Sequence, residues 1–177
     1  QKSAEQGDAE AQSGLAAFYS DGKVVSQDYN KARIWYEKAA MQGERSALFY
    51  LGILYRDGKG GEQDASEAVK WLTQAASAPL SRGEAEYELG VLYFNGNGTP
   101  KDYLQAKSWW EKSAEKGSNL AEYALGILYF EGGAGVEKDY PKAREWWEKS
   151  ANSQNADSQY MLGYIYHGGV GIERNYV

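Results

Sequence analysis

The 177 residues contain one histidine, His167, and no cysteine, so the chemistry open to this chain is narrow. A Ser-His-Asp triad would have to use His167, and the G-x-S-x-G elbow that presents such a serine is missing. Without cysteine there is no thiolate nucleophile, no Cys/His zinc set and no disulfide framework. Carboxylates are plentiful, but they recur at helix-capping positions or on solvated faces. A hydrolase working through acids such as Glu88 and Glu131 is therefore the weakest reading, and no catalytic residue is assigned. The run from Asp57 to Asp64, with Gly58, Lys59, Gly60, Gly61, Glu62 and Gln63 between, looks loosely like a calcium loop. It lacks the alternating oxygen ligands and the closing glutamate, and turn and cap duties explain each residue. No metal or cofactor is expected. The pairs Trp109-Trp110 and Trp146-Trp147 could stack on a sugar. The same slots hold Trp35-Tyr36 and Trp71-Leu72, which points to core instead, the first residue of each pair facing inward and the second packing between repeats.

Charge excludes further classes. With 25 acidic residues against 19 Lys and Arg, the net charge is −6. Nucleic acids and anionic membranes both need a basic patch to displace counterions, so neither is an expected partner. No run approaches the ~20 apolar residues that span a bilayer, so no membrane insertion is expected. The absence of cysteine leaves the compartment open.

The elements that carry these residues repeat. Leu15, Leu51, Leu89, Leu125 and Leu162 are counterparts, spaced by 36, 38, 36 and 37 residues. A fixed period in this range means stacked supersecondary units, each burying its neighbour. The first helix of each unit starts near a small residue, Ala11, Ala47, Ala85, Ala121 or Ser158, here called register 0. Leucine follows at register 4 and tyrosine at register 8, on the same face. Register 5 holds Ala16, Gly52, Gly90, Gly126 or Gly163. Glycine inside a helix costs roughly 1 kcal/mol against alanine. Its recurrence predicts a close crossing where a side chain would collide with the second helix. Gly22, Gly58, Gly96, Gly132 and Gly169 stop the first helix. After a short loop Asp28, Asp64, Asp102, Asp139 or Asn175 caps the second, and Asp64 with Glu67 and Asp102 with Gln105 fit a reciprocal capping box. The loop after Gly132 is one residue longer than the one after Gly96. The junction Ser77 to Gly83 carries Pro79 and two extra residues, which predicts a local change of pitch.

The expected boundaries are the end of a preceding repeat at 1–7, repeats at 8–43, 44–81, 82–117 and 118–154, and a partial repeat at 155–177. Both ends read as mid-repeat, as in a stretch of a longer array.

The recurring pattern A-x-x-x-L-G-x-x-Y-x-x-G, loop, D-Y-x-x-A-x-x-W-x-x-K-A/S-A-x-x-G closely resembles the Sel1-like repeat, and the resemblance covers the whole chain. It departs at Ala16 for the helix glycine, at Gln154 for a closing glycine and at Leu72 for an aromatic. The resemblance implies an all-α, right-handed α/α superhelical solenoid related to tetratricopeptide repeats, first helices inside and second helices outside. It also implies a non-catalytic adaptor that binds another protein or peptide. Such proteins are common in bacterial envelope, host-interaction and signalling systems, so a periplasmic, surface or secreted bacterial location is slightly favoured over a cytoplasmic one.

On the first helices, registers 2, 6 and 9 fall opposite registers 0, 4, 8 and 11 at 100° per residue. Registers 2 and 6 are mostly aromatic or aliphatic from the second unit on, as in Tyr87 and Val91 or Tyr123 and Ile127, which fits a helix sandwiched between neighbours. Register 9 and the flanking registers 3 and 10 vary more. An inner solenoid surface is where ligands bind, so the candidate site is Tyr50, Arg56, Asp57, Glu88, Phe94, Asn95, Phe130, Glu131, Met161 and His167. Phe94 and Phe130 beside Glu88 and Glu131 suit an apolar anchor with a basic rim. A glycan or peptidoglycan fragment on the groove tyrosines is the alternative ligand. End-to-end self-association is also expected to be possible, because a truncated solenoid lacks polar capping repeats.

Overall fold

The computed structural model describes residues 2–78 and 82–169. Ten helices lie among them: α1 (Lys2–Glu5), α2 (Ala9–Asp21), α3 (Tyr29–Ala40), α4 (Arg45–Asp57), α5 (Ala65–Ser77), α6 (Glu84–Asn95), α7 (Tyr103–Glu115), α8 (Asn119–Glu131), α9 (Tyr140–Asn152) and α10 (Ala156–Gly168). Two compact units result, residues 1–81 with 97–100, and residues 82–96 with 101–177. In the first, α2 packs on α3, α3 on α4 and α4 on α5; in the second, α6 to α10 pack in the same consecutive way. The expected change of pitch at Pro79 and the expected cap Asn175 lie outside the described residues.

The caps follow from local chemistry. Asp28, Asp64, Asp102 and Asp139 each accept a backbone N–H of the second helix they open. No reciprocal box forms at Asp64: the Glu67 carboxylate instead takes Lys70, 2.9 Å away. The first helices start one or two residues before the expected register 0. Asp8, Glu44, Ser118 and Asn155 cap four of them through side-chain oxygens, and Gly83 opens α6 without one.

The core is a stripe of three positions, four and then three residues apart, on both kinds of helix. On α4, α6 and α8 it is registers 0, 4 and 7, as in Ala47, Leu51 and Leu54 or Ala121, Leu125 and Leu128, whereas Phe18 at register 7 of α2 is 48% exposed. Register 7 is thus a core position beside the predicted tyrosine, which is only half-buried at Tyr55 and Tyr93. On second helices the stripe is Ala32, Tyr36 and Ala39, and its copies Ala68, Leu72 and Ala75, Ala106, Trp110 and Ser113, and Ala143, Trp147 and Ser150. This corrects the expected assignment of each aromatic pair. Trp35, Trp71, Trp109 and Trp146 are half-buried, and a lysine ammonium lies over each ring at 4.1–5.2 Å. The residue after each is the one that enters the crossing, because it alone stands four residues from the alanine at the start of the stripe and three from its end.

The register-5 glycines face that slot. A Cβ on Gly52 would come within 2.7 Å of Leu72 Cγ, and one on Gly90 or Gly126 would run into the Trp110 or Trp147 indole. The close crossing therefore exists in the second, third and fourth repeats. Gly163 has no such neighbour among the described residues.

Candidate binding surface

Each predicted residue takes its place from the helix crossing. Phe94 and Phe130 lie four residues after Gly90 and Gly126, so they share the face that meets the second helix. Phe94 packs on Trp110 and Tyr103, with centroids at 5.4 and 5.2 Å, and Phe130 packs on Trp147 and Tyr140 at 5.5 and 5.3 Å. Both are half-buried. They close over the buried indoles and do not stand opposite the core, as the helical-wheel count had placed them. The signal was the glycine itself: four residues on from it is the same face. Variation at register 9 then follows the second helix as well. Ser20 accompanies Tyr36, Arg56 accompanies Leu72, and phenylalanine accompanies each tryptophan.

Registers 3 and 10 behave differently. Asp21, Asp57, Asn95 and Glu131 are exposed at register 10, and Tyr50 is 48% exposed at register 3. The Tyr50 ring stacks on Tyr36 at 5.6 Å and meets the Phe49 ring edge-on at 5.2 Å. Glu88 and Met161, also at register 3, are half-buried, and His167 is exposed on α10. Asp57 sits 2.8 Å from Arg56 Nε and 3.1 Å from Lys59 Nζ. Partial burial pushes its carboxyl up, but the hydrogen bonds from Arg56 and Lys59 outweigh this and hold it below the usual range. Those contacts also use the oxygens that a calcium ion would need, while the Asp64 carboxylate caps α5.

Within the first unit the exposed edge thus gathers Tyr50 and Asp57 on α4 with Asp21 on α2. Within the second it gathers Glu88 and Asn95 on α6 with Glu131 on α8. The chemistry of both is an acidic edge beside aromatic or aliphatic side chains at registers 2 and 6. It can accept a cation at Glu131, whereas Asp21 already pairs with Lys23 and Asp57 with Arg56 and Lys59. It can bury a modest apolar anchor, and it contains no nucleophile paired with a base. Among the described residues no three His, Cys, Asp or Glu side chains converge as a metal site, and no helix is long and apolar enough to cross a membrane.

The model of the Sel1 repeat matches residues 9–44, 45–79, 83–118, 119–155 and 156–177. A protective antigen present in uropathogenic Escherichia coli strains, displaying an SLR fold, superposes with a TM-score of 0.89 at 40% identity, covering 98% of this chain and 37% of that one. A Sel1 repeat protein from Oxalobacter formigenes gives 0.84 at 33% identity over 94% of this chain and 66% of its own. A sel1 repeat protein from Klebsiella pneumoniae gives 0.60 at 26% identity, over 94% of this chain and 81% of its own. The chain spans little more than a third of the first of these proteins and just under two thirds of the second. Among curated proteins none matches the chain in sequence.

Proposed function

Because the chain belongs to the Sel1 repeat family, a family of generally non-catalytic protein-interaction scaffolds, we propose that it binds a protein or peptide along the register-3 and register-10 edges of the first helices within each unit. The partner segment is basic, with an apolar or aromatic anchor. The observation that carries this is the division of labour between registers. Registers 0, 4, 5 and 7, with Phe94 and Phe130 at register 9, are spent on holding helices together, while the exposed register-10 side chains Asp21, Asp57, Asn95 and Glu131 are acids or an amide that leave the crossing untouched. A solenoid frame with solvent-facing side chains at fixed intervals is a peptide-reading surface, and an acidic one speeds and orients encounter with basic partners. Similarity to an antigen of uropathogenic Escherichia coli supports an envelope or host-interaction setting.

The test is a pull-down with crosslinking from envelope extract and host secretions, comparing wild type with a Tyr50→Ser/Asn95→Lys/Glu131→Lys variant. All three positions are exposed, so the variant keeps its core, which a Phe94→Ser/Phe130→Ser variant would not. The reading requires a partner held by wild type, released by salt and lost from the variant. Equal capture by both would remove the binding edge from these registers.

A further inference from the structure

A cavity of about 240 Å³ opens between α7, α9 and the loop after Gly132, and none of the acidic-edge residues lines it. Its floor is the Tyr129 ring, 6% exposed. Lys107, from α7, holds its ammonium 5.6 Å from that ring, and Lys142, from α9, holds its own at 5.1 Å. Lys138 lines the rim. The wall is the loop that is one residue longer than its counterpart after Gly96. The extra length folds into a reciprocal pair of hydrogen bonds, Gly133 N–H to Val136 O at 2.8 Å and Val136 N–H to Gly133 O at 2.9 Å. Val136 is buried beneath it, and Gly133 and Gly135 rest on Tyr103 and Leu104 of α7. The wall is thus fixed to the helix that supplies Lys107.

The cations here are only loosely engaged. Lys107 reaches Glu111 at 3.7 Å and Lys142 reaches Asp139 at 3.8 Å, both near the outer limit of an ion pair, and the Asp139 carboxylate is already the cap of α9. Among the described residues Lys138 makes no ion pair or hydrogen bond. The interaction with the Tyr129 hydroxyl, opposed by partial burial and aided by Glu111, holds the Lys107 ammonium above its ordinary range, so it stays charged. Three ammonium groups line the cavity against two carboxylates, Glu137 and Asp139. With Glu111 just outside the lining at 3.7 Å from Lys107, the local excess is at most one positive charge, in a chain of net charge −6, which suits one monoanion better than a doubly charged phosphate.

We propose that this cavity is a carboxylate-binding pocket, in which Lys107, Lys138 and Lys142 hold the carboxylate and Tyr129 and Val136 pack against the carbon atoms that carry it. The carboxylate comes either from an acidic side chain of a peptide or from a free small acid.

The test is NMR titration of wild type with acetate, with the peptide acetyl-Gly-Glu-Gly-amide and with inorganic phosphate, following the Tyr129 ring and the lysine side-chain signals. Both carboxylate probes are expected to give saturable shifts that added salt weakens. Tighter binding of the peptide identifies a side-chain source, and equal or tighter binding of acetate a free acid. A Lys138→Ala/Lys142→Gln variant is expected to bind about tenfold more weakly or worse, the loss of charge-assisted hydrogen bonds. Lys31→Gln, at the register of Lys142 but in the first repeat, is expected to bind as wild type does. No saturable shift with either carboxylate, undiminished binding in the double variant, or tighter binding of phosphate than of both carboxylates would each overturn the proposal.

Discussion

In the first compact unit the crossing of each helix pair is filled by Tyr36 or Leu72, and the next stripe position is Ala39 or Ala75. In the second unit the same positions hold Trp110 or Trp147, and Ser113 or Ser150. The second unit gains directional bonds from this exchange. The Trp110 and Trp147 indoles donate to the carbonyls of Tyr87 and Tyr123, each at 3.2 Å. The Ser113 and Ser150 hydroxyls donate to the carbonyls of Gly83 and Asn119, each at 2.7 Å. Phenylalanine at register 9 then covers each indole. Among these eight residues only Tyr36 in the first unit carries a polar group, and burial, the largest influence on it, drives its hydroxyl well above the usual phenol range. Where the slot residue is Trp110, Trp147 or Leu72, register 5 must be bare; where it is Tyr36, register 5 holds Ala16. Slot, register 5 and register 9 vary together as one packing unit.

The largest effect should come from emptying the slot. Trp147→Ala removes a fully buried indole and is expected to cost about 3–5 kcal/mol, read by urea denaturation. A cost below about 1 kcal/mol would mean that the fourth repeat can collapse around the gap. Gly126→Ala should cost about 1–3 kcal/mol by overpacking, and Gly126→Leu at least as much. The sharper version imports the first repeat's solution. Gly126→Ala/Trp147→Tyr should recover part of the loss relative to Gly126→Ala alone, and a purely additive double variant would break the claim that these positions vary together.

A second comparison concerns the ends of the helix pairs. At register 1, Gln12 bonds Gln42 at 2.8 Å, and Glu86, 2% exposed, pairs with Lys116. Glu122 stands at the same register in the fourth repeat, where the partner position is Ser153, and its Oε2 is buried without a hydrogen bond. Lys116→Ser copies that arrangement into the third repeat. It should cost about 1–3 kcal/mol by weakening the neutralisation of a buried carboxylate, measured by thermal and chemical melts together. The chain closes the two loops differently as well. Gly117 turns the third repeat at φ 85°, whereas Gln154 turns the fourth at φ 64° with a side chain attached. Gln154→Gly should stabilise by about 0.5–1 kcal/mol, since a left-handed residue with a Cβ is strained and glycine returns part of that gain as chain entropy.

Much of this frame was legible in the residues. The leucine period set the helix count. Each Asp cap and each closing glycine sits where its chemistry placed it, and the register-5 glycines announced the crossing. What stayed hidden was rotation about the helix axis. A Trp-Trp pair offers two candidates 100° apart, and only the stripe Ala143, Trp147 and Ser150 decides between them. The same ambiguity sent Phe94 and Phe130 to the wrong side, although their distance of four from a glycine already placed them. The first-helix caps Glu44 and Ser118 were missed because a small residue three positions later, Ala47 or Ala121, resembled a start. The cavity beside Tyr129 left only one trace, the extra loop residue; nothing in one dimension brings Lys107 and Lys142 to the same ring.

The smallest expected effect tests the register-1 comparison through pH. Burial, the largest influence, raises the Glu122 carboxyl above its ordinary value of 4.5, and the charge of Lys149 offsets only part of this. Folded protein therefore takes up this proton at a higher pH than unfolded protein does. The favourable contribution of the protonated form is fully present below the unfolded value and is lost as pH rises through the folded one. At neutral pH the ionised Glu122 is a mild liability. Glu122→Gln should thus stabilise at pH 7 and flatten the rise in stability that wild type shows on going down from neutral toward the folded value. Glu122 is half-buried and water screens it, so the gain should stay below about 1 kcal/mol. Ser153→Lys should act in the same direction by restoring the partner that Glu86 has. If Glu122→Gln instead destabilises at pH 7 and leaves the pH profile unchanged, the carboxylate is satisfied there, and the third and fourth repeats end alike.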